Sequence, residues 1–387
     1  MNNVLDDDRI DWDLLAAYRF DKDSFLRLSE KIRNKKLSID SAIFTGSIEP
    51  VDNVVEFDHD NQVHQELGAE ALKNGQVALF VLNGGMATRF GNVVKGTVPV
   101  YEKSSFLALK AEDVKHANTQ YGTAIPFVLM NSFATGRATE QHFVENNHFG
   151  LSPDDIYTFE QSISLRMNLD GSLFIGKDNR PSYHSPGHGD FFSGLRSSGV
   201  LEKLRRRGCR YILFSNVDNL GATIEPAILG QHIASGAGMS AELTQRQRNA
   251  AGELDKGGAP AIADGRPQLL EGFRFPKNFD RSLLPDFSTN NFIFTLEDID
   301  RELELPRHVV EKKVDGQSVL QLESITCEAS GIYDASGHAV LSTNYLRVAR
   351  EGDHGRFFPV KSKDDLEAMR PLLKKRIAAG KKLRSQP

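Results

Sequence analysis

The first seventy residues mix acidic and apolar positions at helical spacing, as in "DWDLLAAYRFDKDSFLRLSEKI", and predict a helical preamble. The pattern changes at residue 77. There "VALFVL" (77–82) is a short, continuous, β-rich apolar run, the mark of a strand buried on both faces of a parallel sheet. "IPFVLM" (125–130) and "YILF" (211–214) repeat it, with helix-like segments between. This alternation predicts an α/β sheet with parallel strands. "FLALKAEDVKHANTQYG" predicts a crossover helix starting near Ser104-Ser105 and ended by Gly122. "GLRSSGVLEKLRRRG" predicts a second helix, with its cations in the last turn before Gly208, where the helix dipole favours them. "HVVEKKVDGQSVLQLE" reads as a hairpin around Asp315-Gly316. The Gly-, Pro- and Ala-rich stretch 250–267 reads as a turn-rich excursion, and "RFFPVKSKDDLEAM" (356–369) as a strand ending at Lys361 before a capped helix.

Ligands of open α/β sheets bind beyond the C-terminal ends of the strands. The first predicted strand runs into "NGGMATRFGNVVKG". Gly84-Gly85 let the backbone come close to a partner, and Arg89 and Lys95 follow, so the loop suits a polyanion such as phosphate. An ordinary turn with solvated charges explains the stretch equally well if it stands alone. It is not a Walker A loop, because Gly96-Thr97 follow Lys95, and the G-x-G-x-x-G spacing is absent. The 211–214 strand is followed by Ser215-Asn216-Val217-Asp218-Asn219. Asp218 suits either a helix N-cap or a magnesium ligand, since magnesium takes one or two carboxylates plus substrate phosphates. In "HSPGHGDFF" (184–192), His188 sits between two glycines and is free to face a ligand.

Composition narrows these readings. The chain has 387 residues, enough for one large domain with attachments. A net charge of −5 argues against a broad basic surface for nucleic acid, so an anionic ligand is held by local charge. No apolar run is long enough for a membrane span, and the acidic start lacks the order of a signal peptide. With only Cys209 and Cys327, neither a disulfide framework nor a zinc pattern is expected, which suggests a cytoplasmic protein.

Nine blocks in order then carry a resemblance: "VLNGGMATRFG", "PFVLMNSFAT", "YTFEQS", "SPGHGD", "FSNVDNLGAT", "DKGGAP…GRPQLLE", "STNNF", "QLE" and "RFFPVKSKDDL". From about residue 77 to 369 the chain resembles the UDP-glucose pyrophosphorylase (UTP–glucose-1-phosphate uridylyltransferase) family. The resemblance implies a Rossmann-like nucleotidyltransferase fold with a mixed, mostly parallel sheet and helices on both faces. The implied organisation is a helical segment (1–70), a catalytic domain (71–350) and a C-terminal strand and helix (351–387) returning Lys361 to the site. It also implies that UTP and glucose 1-phosphate give UDP-glucose and pyrophosphate, with Mg2+ on Asp218. Leu82, Asn83, Gly84, Gly85, Gln161, Gly187, Asp218 and Lys361 match nucleotide-binding positions, with Gln161 as the uracil reader. His188, Asn216, Val217, Glu271 and Asn290 match positions lining the sugar phosphate. Lys361 matches the catalytic lysine, and Lys95 and Arg89 are placed by the leaving pyrophosphate. Ala87 stands where the family has a second loop glycine. Lys95 follows Val94 rather than a proline, one residue short of the usual spacing. The family's C-terminal β-helix has no counterpart after Lys361, so a monomer or weak dimer is expected. The competing expectations are a pyrophosphorylase for N-acetylglucosamine 1-phosphate or galactose 1-phosphate, and a catalytically silent nucleotide-sugar binder.

Overall fold

The computed structural model describes residues 4–87, 93–248 and 252–384. Its centre is an eight-stranded sheet: β1 (Val54–Glu56), β2 (Val77–Leu82), β3 (Phe127–Asn131), β4 (Ile156–Glu160), β5 (Tyr211–Asn216), β6 (Met239–Gln245), β7 (Asp286–Thr295) and β8 (Thr343–Arg347). The order across the sheet is β1-β8-β6-β7-β5-β2-β3-β4. Every neighbouring pair is parallel except the two made by β7, which runs antiparallel to β5 and β6.

The continuous apolar runs are explained by two cores, one on each face. Leu79, Val81, Phe127 and Leu129 point to one face, under helices Gln62–Lys73, Phe106–Tyr121, Pro226–Ser235 and Lys363–Arg384. Ala78, Phe80, Val128 and Met130 point to the other, against helices Phe191–Ser197 and Val200–Arg206. There Phe80 lies parallel to Phe214 on the adjacent strand, with ring centroids 5.1 Å apart, and Phe191 meets Phe80 edge-on at 4.7 Å.

Helix Phe106–Tyr121 has the expected ends: Ser105 Oγ accepts from the Ala108 N–H at 3.1 Å, and Gly122 closes it in the left-handed conformation. The hairpin is also as expected. His308–Val314 pairs with Gln317–Glu323 around Asp315 (φ 54°) and Gly316 (φ 83°).

Four readings are corrected. The expected single helix over "GLRSSGVLEKLRRRG" is two, because Gly199 (φ 76°) turns the chain between Phe191–Ser197 and Val200–Arg206. Within 250–267, residues Ala259–Ala263 form a strand that pairs with Arg266–Leu270 through a second Asp-Gly turn, Asp264-Gly265. The preamble is not wholly helical: after helices Trp12–Ala17 and Lys22–Arg33, Ile48–Glu49 pairs with Ala259–Ala263 and β1 joins the main sheet. No strand precedes Lys361. Pro359 forms only an isolated antiparallel bridge with Asn219, and the Phe358 and Val360 amides bond to the Asn219 side chain and the Asp218 carbonyl. Among the described residues no helix is long and apolar enough to cross a membrane.

Candidate active site

A cleft of about 570 Å³ opens beyond the C-terminal ends of four adjacent parallel strands, β5, β2, β3 and β4. Register makes this a shared edge: Asn216 lies opposite Leu82, Leu82 opposite Met130, and Asn131 opposite Glu160. Leu82, Met130, Gln161 and Asn216-Val217-Asp218 therefore line one opening. Strands are spaced about 4.8 Å apart, so the walls that follow β4 and β5 stand roughly 14 Å from each other.

On the β4 side, Gln161 is buried and donates through Nε2 to the Gly187 carbonyl at 2.7 Å. A Cβ on Gly84 would meet Gln161 Oε1 at 2.4 Å, so any side chain there displaces this amide. Gly85 has no neighbour within 4 Å of such a Cβ and leaves its backbone open to the cleft. Gly187 is held at φ 92°, where a Cβ would meet the Ser324 carbonyl at 2.4 Å. Asn83 does not line the cleft. It is buried below, donating to Asn131 Oδ1 and Thr139 Oγ1, both at 2.8 Å, and braces the loop.

His188 follows on the same wall. The Thr326 backbone nitrogen stands 3.2 Å from its Nδ1, and the Thr326 hydroxyl donates to its carbonyl at 2.7 Å. Thr326 Oγ1 also stands 2.9 Å from Nδ1 while its hydroxyl proton goes to the His188 carbonyl, so the contacts at Nδ1 fit either ring tautomer. Burial pushes the imidazole pKa down to about 4, so His188 is a neutral imidazole near pH 7. Glu271 does not line the cleft. It lies one step behind His188, with Oε1 accepting from the Gly272 N–H at 2.8 Å, and Cys327, next to Thr326, donating to Oε2 at 3.9 Å. Burial raises its pKa.

On the β5 side, Asn216 Oδ1 accepts from Asn290 Nδ2 at 2.9 Å, which leaves the Asn216 amide donors for the cleft. Asn290 itself (φ 60°) is reached only through Asn216. Asp218 is not an N-cap, since the next helix begins at Pro226. Its carboxylate, 10% exposed, forms an ion pair with Lys95. Despite its irregular spacing, Lys95 reaches the same cleft. Lys361 does not line it. Its side chain is exposed, but the preceding Val360 N–H donates to the Asp218 carbonyl at 3.0 Å. The chain therefore runs beside Asp218 just before Lys361. Arg89 lies outside the described residues.

Sequence reasoning missed Arg166, which lines the cleft and donates to Gln321 Oε1 and Ser182 Oγ, both at 3.0 Å. Burial lowers its pKa. Its signal was a cation inside the apolar run "ISLRM". Ser132, legible as a polar residue just past the 125–130 strand but given no role, donates its hydroxyl to the Gly84 carbonyl at 2.9 Å.

A model of the family described as UTP–glucose-1-phosphate uridylyltransferase matches residues 22–376. The chain belongs to this family. It is 31% identical over 385 residues to the UTP–glucose-1-phosphate uridylyltransferase of Saccharomyces cerevisiae, covering 95% of this chain and 73% of that one. With the enzyme of that name from Astragalus penduliflorus the identity is 32%, covering 82% and 67%. Among solved structures, a UDP-glucose phosphorylase of Trypanosoma brucei superposes with a TM-score of 0.72 at 26% identity, covering 90% of this chain and 74% of that one. A putative UDP-N-acetylglucosamine pyrophosphorylase of Entamoeba histolytica shares the fold, with a TM-score of 0.69 at 19% identity over 82% of this chain and 83% of that one. Family membership makes this chain a nucleotidyltransferase.

Family relatives imply a divalent metal. Among the described residues no three His, Cys, Asp or Glu side chains gather to hold one alone. Asp218 nevertheless fits a metal shared with substrate: it is a single carboxylate on the cleft, already in contact with one cation, the Lys95 ammonium.

Proposed function

We propose that the protein joins UTP and glucose 1-phosphate into UDP-glucose and releases pyrophosphate. One observation carries this reading. The Gln161–Gly187 wall and the Asn216-to-Asp218 wall face each other across the ends of four parallel strands, with room between them for a nucleotide and a sugar phosphate. We also read the sheet as Rossmann-like. The cleft lies where the order reverses, with β3 on one side of β2 and β5 on the other, the usual ligand crevice of such sheets.

The reaction needs no nucleophilic side chain. The second pKa of a phosphate monoester is about 6, so glucose 1-phosphate is largely a dianion at neutral pH. One of its oxygens bonds to the α-phosphorus of UTP as the bond to the β,γ-diphosphate breaks, and the electron pair leaves with pyrophosphate. The obstacle is the approach of two anions, so the residues act by positioning and charge neutralisation. Gln161 and the Gly187 backbone read the uracil edge, and Gly84-Gly85 let the nucleotide lie against bare backbone. His188, as a neutral imidazole, and the Asn216 amide orient the sugar phosphate. Glu271 and Asn290 complete that pocket from behind. Lys95 exchanges Asp218 for the triphosphate, Lys361 steadies the reacting phosphates, and Arg89 is assigned to the leaving group on the resemblance alone. Asp218 is the residue that would hold magnesium, which when bound supplies positive charge between the two substrates.

The test is pyrophosphate release from UTP with a panel of sugar 1-phosphates, with and without magnesium. The expected result is magnesium-dependent turnover of glucose 1-phosphate, at least about a hundredfold above N-acetylglucosamine 1-phosphate in kcat/KM, because the His188 wall leaves little room for a 2-acetamido group. Galactose 1-phosphate is the nearest competitor. Equal use of the acetamido sugar overturns the glucose assignment, and binding without pyrophosphate release overturns the catalytic one.

A further inference from the structure

The segment carrying Lys361 reaches the site without belonging to any strand of the sheet, and one buried side chain accounts for its position. Asn219, 1% exposed, follows Asp218 and uses its whole amide. Its Oδ1 accepts from the Gly221 N–H at 3.1 Å and from the Phe358 N–H at 2.8 Å. Its Nδ2 donates to Asn291 Oδ1 and to the Arg356 carbonyl, both at 3.1 Å. Two of these four bonds go to the segment ending at Lys361, one to its own loop and one to β7. Around them the main chains also join: the Leu220 N–H donates to the Phe358 carbonyl at 3.2 Å, and the Val360 N–H to the Asp218 carbonyl at 3.0 Å.

We infer that Asn219 is a positioning residue that clasps the Lys361 segment to the Asp218 loop and so fixes the catalytic lysine relative to the metal-binding carboxylate. This rests on the reading of Lys361 and Asp218 given above. An isosteric carboxylate cannot replace the amide, because an oxygen at the Nδ2 position would face two carbonyl oxygens. Lys361 is three residues beyond Phe358, so loosening the clasp moves the ammonium while leaving the nucleotide wall on β3 and β4 untouched. Displacing a reacting group by about 1 Å is enough to cost up to about a hundredfold in rate.

The test is a double-variant cycle in the full chain with Asn219→Ala, Lys361→Ala and both, read as kcat and KM for UTP. The expected result is a kcat about thirtyfold lower for Asn219→Ala with KM for UTP within about threefold, and no more than about threefold further loss in the Lys361→Ala background. Equal losses in both backgrounds overturn the inference, because a residue acting only on stability or on the cleft as a whole is indifferent to Lys361. Hydrogen exchange separates this from the underlying reading. In Asn219→Ala, amides of 355–362 are expected to exchange at least about tenfold faster while those of 77–82 stay protected. If Lys361→Ala turns over like the parent, the reading of the lysine fails, and unchanged exchange at 355–362 overturns the clasp itself. Should Asn219→Ala not fold, Gly221→Ala serves in its place, since its Cβ would meet the Arg356 carbonyl carbon at 2.5 Å.

Discussion

Gly84→Ala is a sharp test of where the uracil lies. The new Cβ would stand 2.4 Å from Gln161 Oε1 and 3.5 Å from Ser132 Cβ. A carbon and an oxygen in van der Waals contact stand about 3.2 Å apart or more, so the Gln161 amide has to retreat by close to 1 Å. It is tethered by a 2.7 Å bond to the Gly187 carbonyl, and a shift of that size away from Gly187 takes the bond past its useful range. Losing it in a buried setting costs about 1–3 kcal/mol, part in folding and part in nucleotide binding. The expected result is a rise in KM for UTP of about 10- to 100-fold, or roughly 1.4–2.7 kcal/mol, with kcat within about threefold because the reacting phosphorus is remote from the base. The assay is pyrophosphate release against UTP at saturating glucose 1-phosphate, with circular dichroism to confirm the fold. An unchanged KM for UTP in a folded variant refutes the placement of the base at Gln161.

Lys361→Ala should lower kcat by roughly two to three orders of magnitude, as for loss of one preorganised electrostatic group, while the melting temperature stays near that of the parent because the side chain is exposed; near-parent turnover removes Lys361 from the mechanism. Arg356→Met strips the guanidinium from Glu242, where it makes bonds of 2.9 and 2.8 Å, and from Glu225 at 2.9 Å. That leaves the buried Glu242 carboxylate without its ion-pair partner, held only by the Asn291 amide at 3.2 Å, while Glu225 keeps His59, and urea unfolding should show a loss of about 3–5 kcal/mol. His232 is buried and neutral, bonded to Ser240 Oγ at 2.8 Å and Thr295 Oγ1 at 3.0 Å, and burial pushes its pKa down to about 4 from 6.5. The unfolded chain takes up this proton below about pH 6.5 and the folded one does not, so stability falls as pH drops from 6.5 to 4 and levels off below. Urea titrations at pH 6.5 and 4.5 should differ by about 2–3 kcal/mol more in the parent than in His232→Gln, and equal differences exclude His232 as a cause.

What was legible in the sequence was local, and what was not depended on distant partners. The strand at 77–82 and the helix from Phe106 announce themselves through unbroken apolar runs, a capping serine and a closing glycine, all within a few residues. The two Asp-Gly turns are equally local, and the one at Asp264-Gly265 was passed over only because the composition around it suggested a loop. Asn216 could be proposed because parallel strands carry their ligands at one edge, whereas Gln161 was named only through the resemblance, the strand Ile156–Glu160 before it having gone unpredicted. Nothing near Lys95 shows that its ammonium meets a carboxylate 123 residues further along the chain. Arg166 showed only as a cation inside an apolar run, and one of the partners that fix it, Gln321, is 155 residues away. Asn219 is the extreme case. In the sequence it is one polar residue of a turn, and three of its four bonds go to residues 72 to 139 positions distant. The Lys361 segment shows why this matters for function. Its sequence reads as a strand, yet it pairs only as a single antiparallel bridge between Pro359 and Asn219, to which the Asn219 side chain adds two bonds. A sheet would have fixed that lysine through many equivalent bonds. Here the segment before it is held by a few, most of them from the loop that carries Asp218.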